Sequence, residues 1–455
     1  MSKMNLRICA GFVIALIFYQ HAESQTSDVW TLQRCFEHAR QHNIIIKKSE
    51  LAVEGARANV TQAWAGLFPT LNGSVAESFN FGLRFDPTTG LLNDQRFTTS
   101  SISANSQFII FNGLTNYYSI SQAKHTYKAS QFDFQQAIDD VYLNIVNLYM
   151  QLLFAQERLE IVKQQADLLR QQVARTRELH EAGTVNKGTL LSIEAQLATQ
   201  ELTQVNGENA LANAKLALIQ LLNLESFDMQ IEKPDFSTAL IQPFNENESA
   251  QGVYLTALTL RPNIMGREFR AKAARKALAA ARGSYYPQLA FNASVSTIYS
   301  GLLKQNPFDP NSPVVPFFDQ LQRNNAQQLS FGLSIPIFNG LQVRTAVKQS
   351  KLSYQNAQLD LQNEQMTLRN TIQQVWADAR AAYKTYEANR KNLTALEENY
   401  QYAQQRFDAN MINSVDYNDA MVRFFNARTE LLIAQYDYVF KTKVLDFYKG
   451  KKIEF

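Results

Sequence analysis

The chain has 455 residues, a formal net charge of +3 and only 11 prolines and 17 glycines. This length is too great for one ordinary compact domain. The near-neutral charge excludes the strongly basic balance that is typical of nucleic-acid-binding proteins, so we expect no nucleic-acid partner.

The first residues have the features of a secretory signal peptide. Lys3 and Arg7 precede an apolar run, and Ala22-Glu23-Ser24 follows as a small-residue cleavage site, so residues 1–24 are predicted to be removed. Cys9 lies inside that run, which leaves Cys35 as the one mature cysteine and excludes an internal disulfide. No other stretch is apolar over the roughly 18 residues that a membrane-spanning helix needs. We therefore expect an exported protein without a helical anchor.

The first repeat, residues 25–223, begins with helical sequence that stops at Pro69, because proline cannot continue a helix. The sequence then alternates between apolar and polar residues, which predicts two strands at 70–85 and 97–111. Leu71, Val75 and Phe79 share one face of the first strand, and Ser, Thr and Asn occupy the other. The strands are predicted to be antiparallel.

A helical hairpin is predicted over residues 115–222. Two seams with a spacing of three and four residues, typical of coiled coils, lie on either side of Gly183. Glycine there suits the left-handed end of a helix, so the hairpin tip is placed at 182–188. The first seam is Val141, Ile145, Leu148, Leu152, Ala155, Leu159, Val162, Ala166, Leu169 and Val173, and the second is Leu191, Ala195, Ala198, Leu202, Val205, Asn209, Ala212, Leu216 and Ile219.

The same order of elements then recurs, which indicates an internal duplication. A polar connector at 224–254 precedes a second repeat at 255–440, and a short basic tail follows at 441–455. The second repeat contains predicted strands at 288–303 and 327–338 and a second hairpin at 342–440. Phe111-Asn112-Gly113 matches Phe338-Asn339-Gly340, which places a strand-to-helix junction at equivalent points of both repeats.

The strands favour a membrane barrel over a half-buried sheet of a soluble domain. Long strands with one apolar face and one face of Ser, Thr, Asn and Gln match outer-membrane barrel strands. Four strands cannot close a barrel with a lumen, since about eight are needed merely to fill the interior with side chains. An oligomer is therefore required, and a trimer would supply twelve strands.

The chain resembles the TolC family of outer-membrane efflux proteins. The resemblance rests on Pro69 and Pro287, on the two Phe-Asn-Gly junctions and on Leu260-Arg261-Pro262-Asn263. It implies an α+β fold: a homotrimeric, twelve-stranded outer-membrane barrel, four strands per chain, on a long periplasmic coiled-coil helical barrel.

The resemblance also implies a function, that of the export channel of a tripartite efflux or type I secretion system in the outer membrane of a Gram-negative bacterium. Its partners would be outer-membrane lipid, a periplasmic adaptor protein and an inner-membrane transporter. It would be neither an enzyme nor a cofactor-binding protein. The alternative is a secreted coiled-coil structural or adhesin protein without a pore.

The resemblance implies site residues at the hairpin tips. Asp416 and Asp419 match aspartates that line the tunnel mouth in the family. In a trimer they would form two rings of carboxylates, which narrow the mouth and favour cations. The alternative is that both are ordinary solvated helix charges.

The family's closing latch of a Tyr, an Arg and an Asp is replaced here by Phe407, Ile412 and Thr189. Apolar contacts among Phe407, Met411, Ile412 and Val185 are therefore the candidate for closing the mouth. The tip residues are also expected to contact the adaptor, the alternative being hairpin core packing. This predicted tip set is Gly183, Thr184, Val185, Thr189, Phe407, Asn410, Met411 and Ile412.

The sequence offers little for catalysis or metal binding. His38 and His42 are four residues apart and could form a metal pair, but a third ligand is lacking and a solvated helix face is favoured. The glycine-rich, P-loop and hydrolase motifs are missing. No catalytic, cofactor-binding or metal-binding residue is predicted.

Overall fold

The computed structural model describes residues 29–94, 96–225, 229–233, 241–306, 308–309, 311–409 and 411–453. The predicted signal peptide lies outside these residues. The described strands are β1 (Val29–Trp30), β2 (Thr70–Asn80), β3 (Arg84–Asp86), β4 (Leu91–Asn93), β5 (Phe97–Asn112), β6 (Gln230–Ile231), β7 (Gln288–Ser300) and β8 (Ala326–Ser334). The described helices are α1 (Leu32–His42), α2 (Ile44–Ala65), α3 (Thr115–Glu181), α4 (Lys187–Leu222), α5 (Ala250–Leu260), α6 (Pro262–Gly283), α7 (Phe317–Arg323), α8 (Gln342–Asp408) and α9 (Ser414–Tyr448).

The chain divides into two compact units. The sheet unit comprises residues 49–136 and 261–367, and the helical unit comprises the described residues of 1–48, 137–260 and 368–455. The long helices α3 and α8 each contribute residues to both units.

The sheet unit contains a four-stranded antiparallel sheet in the order β2-β5-β7-β8. Its register pairs Thr70 with Gln107, Gln107 with Asn292, and Asn292 with Ser330, so these four side chains share one row on one face. β2 and β8 are the two edges within the chain. An edge strand has unpaired backbone groups and is a template for pairing with another chain.

Three predicted strands are shorter than expected, and the strand predicted at 288–303 ends at Ser300. The first ends at Asn80 instead of residue 85, because Gly82 adopts a left-handed φ of +80° and Arg84–Asp86 then pairs with Leu91–Asn93 as a separate hairpin. The last strand ends at Ser334, before Pro336, which cannot donate to a ladder. The segment between the predicted strands 288–303 and 327–338 contains helix α7. Helix α9 continues to Tyr448, eight residues beyond the predicted end of the second hairpin at 440.

The duplication is visible in backbone geometry. Gly113 and Gly340 have φ values of +65° and +60°, and Leu114 and Leu341, which follow them, both have φ of 64°. A leucine rarely adopts this left-handed conformation, so its presence at both junctions shows the same strand-to-helix turn twice. At the first junction the turn also packs tightly, because a Cβ on Gly113 would lie 2.1 Å from the carbonyl oxygen of Gly283.

The helical unit buries the first predicted seam. Eight of its ten positions on α3 are buried, including Ile145 and Ala166, which have no exposed surface. On α8 the buried residues continue the spacing of three and four at Leu368, Ile372, Ala379, Ala382 and Tyr386. Two buried residues of α3, Ile161 and Leu169, form an apolar cluster with Met421 and Phe425 of α9.

The second predicted seam was wrong over most of its length, although its last residue, Ile219, is buried as predicted. Leu191, Leu202 and Val205 are more than half exposed, whereas the buried residues of α4 include Ile193 and Gln200. The buried face lies about two residues from the predicted one. Both faces are apolar in sequence, so periodicity could not decide which face the rest of the chain covers.

Candidate functional site

The residues of the first hairpin tip form a tight turn that is held by backbone and side-chain hydrogen bonds. Gly183 has φ of +72°, and the amide of Thr184 donates to the carbonyl of Leu179 over 2.9 Å, which satisfies the end of α3. The Thr184 hydroxyl donates to the same carbonyl over 2.7 Å. Asn186 then caps α4 by accepting from the amide of Thr189 over 2.9 Å. Predicted tip residues therefore hold this turn in shape.

The second tip repeats this construction. Asn413 occupies the position of Asn186 and accepts from the amides of Val415 and Asp416, each over 2.9 Å. Met411 donates its amide to the carbonyl of Arg406 over 2.7 Å. Asn410, the counterpart of Gly183, lies outside the described residues.

The two predicted carboxylates lie in the first turns of α9, and both residues are exposed. Asp419 forms an ion pair of 2.8 Å with Arg423, one turn further along the same helix. Within the described part of the chain, no ion pair is found for the Asp416 side chain. The helix dipole stabilises a negative charge in this first turn. Of the two carboxylates, Asp416 is the one without an ion-pair partner among the described residues.

Phe407 is the predicted tip residue with the most defined contacts. Its ring stacks on that of Tyr417 with centroids 4.8 Å apart and planes inclined by 10°. The guanidinium carbon of Arg175 lies 5.1 Å from the centroid of the Phe407 ring. The same guanidinium pairs with the Asp408 carboxylate over 2.9 Å. Since Arg175 is on α3 and Asp408 ends α8, this contact joins the two hairpins; we call Arg175, Phe407, Asp408 and Tyr417 the tip clasp.

Tyr417 connects the tip clasp to buried residues. Its hydroxyl lies 3.1 Å from that of Tyr400, whose ring stacks on Phe424 at 5.1 Å. Burial and the hydrogen bond to Tyr400 raise the pKa of Tyr417, so the phenol is protonated at neutral pH. Ile161, Leu169, Met421 and Phe425 form the adjoining apolar cluster.

The other predicted apolar tip residues are more open. Met411 is 71% exposed, and Val185 and Ile412 are partly exposed. Arg175, Asp408 and Tyr417 were not among the predicted tip residues. Phe407 and Tyr417 both lie close to the turn, which could have suggested their contact, but Arg175 is 233 residues from Asp408 and offered no local signal.

A second candidate surface is the polar face of the sheet. Its positions on the described strands β2, β5, β7 and β8 include no charged residue. Asn and Gln side chains gather at the end nearest the long helices, at Asn72, Asn105, Gln107, Asn292 and Gln328. The opposite face exposes Leu71, Val75, Leu329 and Phe331. The sheet therefore has one face suited to water and one suited to lipid.

The histidine pair is packed and not arranged around a ligand. His38 and His42 stack with ring centroids 4.4 Å apart, and Trp30 packs edge-on against His38. Burial and the neighbouring His42 lower the pKa of His38. Among the described residues, no group of three or more potential ligands could hold a metal ion. Within the same residues, no helix combines the length and apolar character that a membrane span requires.

Comparison with known proteins now identifies the architecture. The sequence matches the family described as Outer membrane efflux protein over residues 36–224 and 253–448. Outer membrane protein TolC of Escherichia coli K12 is 22% identical over 429 residues, which cover 91% of this chain and 81% of the relative.

Two solved structures share the fold. Crystal structures of CusC superpose with a TM-score of 0.76 at 18% identity, covering 92% of each chain. The outer membrane protein VceC from Vibrio cholerae gives a TM-score of 0.74 at 18% identity, covering 93% of this chain and 97% of that one. The family match favours an export channel over a coiled-coil spacer without a pore. The chain belongs to the family of outer membrane efflux proteins, and it is an outer-membrane export channel.

Proposed function

We propose that three copies of this chain form one twelve-stranded barrel, with β2 of each copy paired to β8 of the next. Both strands are edges of the sheet within the chain, and unpaired backbone groups in lipid would each cost several kcal/mol, about the cost of a lost hydrogen bond in an apolar medium. Closure around a threefold axis removes every edge. The apolar face then meets lipid and the uncharged face lines the lumen.

Exposed apolar residues on the helices support the same assembly. Leu51 on α2 and Leu202 on α4 are more than half exposed, and so are Leu359 and Met366 on α8. Apolar stripes of this kind on a folded chain mark protein interfaces. Neighbouring copies would cover them and extend the barrel into a helical tunnel.

The channel works as a passive conduit of a tripartite efflux or type I secretion system. An inner-membrane transporter supplies the energy, and a periplasmic adaptor joins it to the hairpin tips. The names of relatives range from drug and toxin export to a probable outer membrane lipoprotein, so the cargo is left open. This role requires no catalytic residue or cofactor.

The hairpin tips determine the ion selectivity of the channel and form the contact with the adaptor. In a trimer, Asp416 and Asp419 form two carboxylate rings at the mouth, where they favour cations. Asp416 contributes the larger part, because Arg423 compensates Asp419. The exposed tip residues Thr184, Val185, Met411 and Ile412 contact the adaptor, supported by their position at the turns.

The tip clasp keeps the mouth closed in place of the family's latch. Opening separates the second hairpin from the first, and the clasp is a contact between these hairpins. The Phe407 ring contributes through its contact with Arg175, and the stack on Tyr417 holds the ring within its own hairpin. The single observation that carries this proposal is that one guanidinium contacts both the ring and the carboxylate at the end of α8.

Single-channel recording in planar bilayers tests the conduit and the rings together. Wild-type trimers should give cation-selective pores, and Asp416→Asn should reduce that selectivity more than Asp419→Asn. Arg423→Gln, which frees the Asp419 carboxylate, should increase it. Pores with unchanged selectivity in both aspartate variants would retain the channel and exclude the rings. Inserted trimers that conduct in no variant, including Phe407→Ala, would exclude the conduit.

A further inference from the structure

A cluster of positive charge lies in the sheet unit, just beyond the strand ends. Lys124 and Lys128 are one turn apart on α3, and Lys272 and Lys276 are one turn apart on α6. At 1.5 Å per residue, these positions lie about 10–20 Å from the helix ends that adjoin the sheet. We call these four residues the lysine cluster.

Aromatic rings hold the lysine cluster in place. The ammonium of Lys124 lies 4.9 Å from the ring centroid of Trp64, and those of Lys128 and Lys272 lie 5.4 Å and 4.6 Å from Phe269. A ring face attracts a cation but supplies no negative charge, so these contacts orient the ammonium groups without neutralising them.

The charge is largely uncompensated. Among the described residues, carboxylates form no ion pair with Lys124, Lys128 or Lys276, and Lys272 has an exposed contact of 3.4 Å to Glu268. His125 lies among the lysines, and its buried Nδ1 has no hydrogen-bond partner in the described structure. Burial and the charges of Lys276, Lys128 and Lys272 lower the pKa of His125, so its ring adds no charge at neutral pH. The lysine cluster therefore carries a net positive charge.

Exposed aromatic residues lead from this cluster to the sheet. Trp64 and Phe68 precede β2, Tyr117 lies on the Lys124 side of α3, and Tyr285 and Tyr286 precede β7; all are exposed. Tyr117, Lys124 and Lys128 are spaced by seven and four residues, which places them on one stripe of the helix. Aromatic residues of this kind mark the membrane–water interface, and lysines near it extend toward lipid headgroups.

We propose that the lysine cluster binds the anionic headgroup of a phospholipid in the inner leaflet of the outer membrane. The phosphate accepts hydrogen bonds from the ammonium groups, and the acyl chains lie along the apolar face of the sheet. The site fixes the depth of the protein in the membrane and makes its stability depend on anionic lipid. This inference rests on the proposed barrel, because the apolar face must meet lipid.

Tryptophan quenching tests the site directly, because the chain has three tryptophans and Trp64 lies beneath Lys124. Full-length mature protein with Trp30→Phe and Trp376→Phe, purified in detergent, is titrated with brominated phosphatidylglycerol or brominated phosphatidylcholine. Phosphatidylglycerol should quench Trp64 saturably at the lower concentration. Replacing all four lysines with glutamine should raise its midpoint roughly 600-fold, since each lysine contributes about one factor of five.

The matched control removes the same charge from Lys348, Lys351, Lys384 and Lys391, which are exposed on α8. This control should leave the midpoint unchanged, and replacing the lysine cluster with arginine should preserve binding. Equal midpoints for the two lipids, or an unshifted midpoint in the glutamine variant, would overturn the proposal. Loss of binding in the arginine variant would also do so, since it keeps the charge.

Two further arms separate other sources of the effect. Inorganic phosphate that abolishes the quenching at matched ionic strength would identify a free-phosphate site and overturn the lipid assignment. A glutamine variant with altered ion selectivity but an unchanged lipid midpoint would show that the lysines face the tunnel. Failure of the barrel itself is distinguishable, because the wild-type protein would then form no pores.

Discussion

The tip clasp contains two contacts between the hairpins, an ion pair and a cation–π contact, and their separate removal should affect channel opening with different salt dependence. Arg175 and Asp408 have side chains 47% and 57% exposed, so their ion pair contributes about 0.2–1 kcal/mol per chain. The stack of Phe407 on Tyr417 lies within the second hairpin and is kept on opening, so the Phe407 ring contributes through its cation–π contact with Arg175, about 0.5–1 kcal/mol per chain. Phe407→Ala should therefore favour opening at least as much as Asp408→Asn.

Threefold symmetry multiplies these energies if the three copies open together. Phe407→Ala then shifts the opening equilibrium by about 1.5–3 kcal/mol, at least roughly tenfold, whereas Asp408→Asn shifts it by about 0.6–3 kcal/mol. The measurement is open probability in planar bilayers at matched voltage. In about 1 M salt the screening length falls to about 3 Å, so the effect of Asp408→Asn should disappear while that of Phe407→Ala persists.

Asp419→Asn is the matched control, because the ion pair between Asp419 and Arg423 lies within one helix and does not connect the two hairpins. It should alter selectivity without altering open probability. An Asp408→Asn channel that opens as readily as Phe407→Ala, with an effect that survives high salt, would refute the reasoning. The ion pair, and not the ring, would then hold the tips.

Three further predictions concern the fold. Gly113→Ala should prevent assembly of SDS-resistant trimers, because the added Cβ would lie 2.1 Å from the carbonyl oxygen of Gly283. Gly340→Ala has nothing within 4 Å of the added Cβ, so it should cost only about 1–2 kcal/mol of backbone strain. Equal trimer yields from the two variants would contradict this prediction. Cys35 is fully buried, and burial raises the pKa of its thiol to about 12. Native protein at pH 8 should therefore resist alkylation by iodoacetamide, whereas denatured protein should react. Mass spectrometry of the two samples measures this difference. Asp86 is buried and accepts a hydrogen bond from the Ser300 hydroxyl over 2.8 Å. Asp86→Ala should therefore lower the stability of the fold by about 1–3 kcal/mol and make residues 84–93 sensitive to limited proteolysis. Unchanged cleavage would show that the hairpin does not depend on this hydrogen bond.

The sequence predicted elements whose signal is local. Pro69 marks the end of the helical sequence before β2, and Asn186 and Asn413 cap their helices as short polar side chains do. The Phe-Asn-Gly junctions matched at a constant offset, so the repeated turn could be predicted without knowing its contacts. Alternation over long strands likewise indicated which residues share a face of the sheet.

Choices between equivalent faces could not be predicted from periodicity. Helix α4 has apolar residues on two stripes, and only packing within the chain shows that Ile193 is buried and Leu202 exposed. The separate Arg84–Asp86 hairpin was missed for a related reason, because Phe81, Leu83 and Phe85 continue the alternation past the left-handed Gly82.

The sequence by itself determined the duplicated order of helices and strands and the family, because both depend on residue type and spacing along the chain. Only the tertiary structure decided which side chains meet across it. Arg175 meets Asp408, and Asp133 meets Arg270, through helices more than a hundred residues apart. Such contacts depend on how two helices pack against each other. The spacing of residues within one helix does not show which residues of the other helix lie beside them.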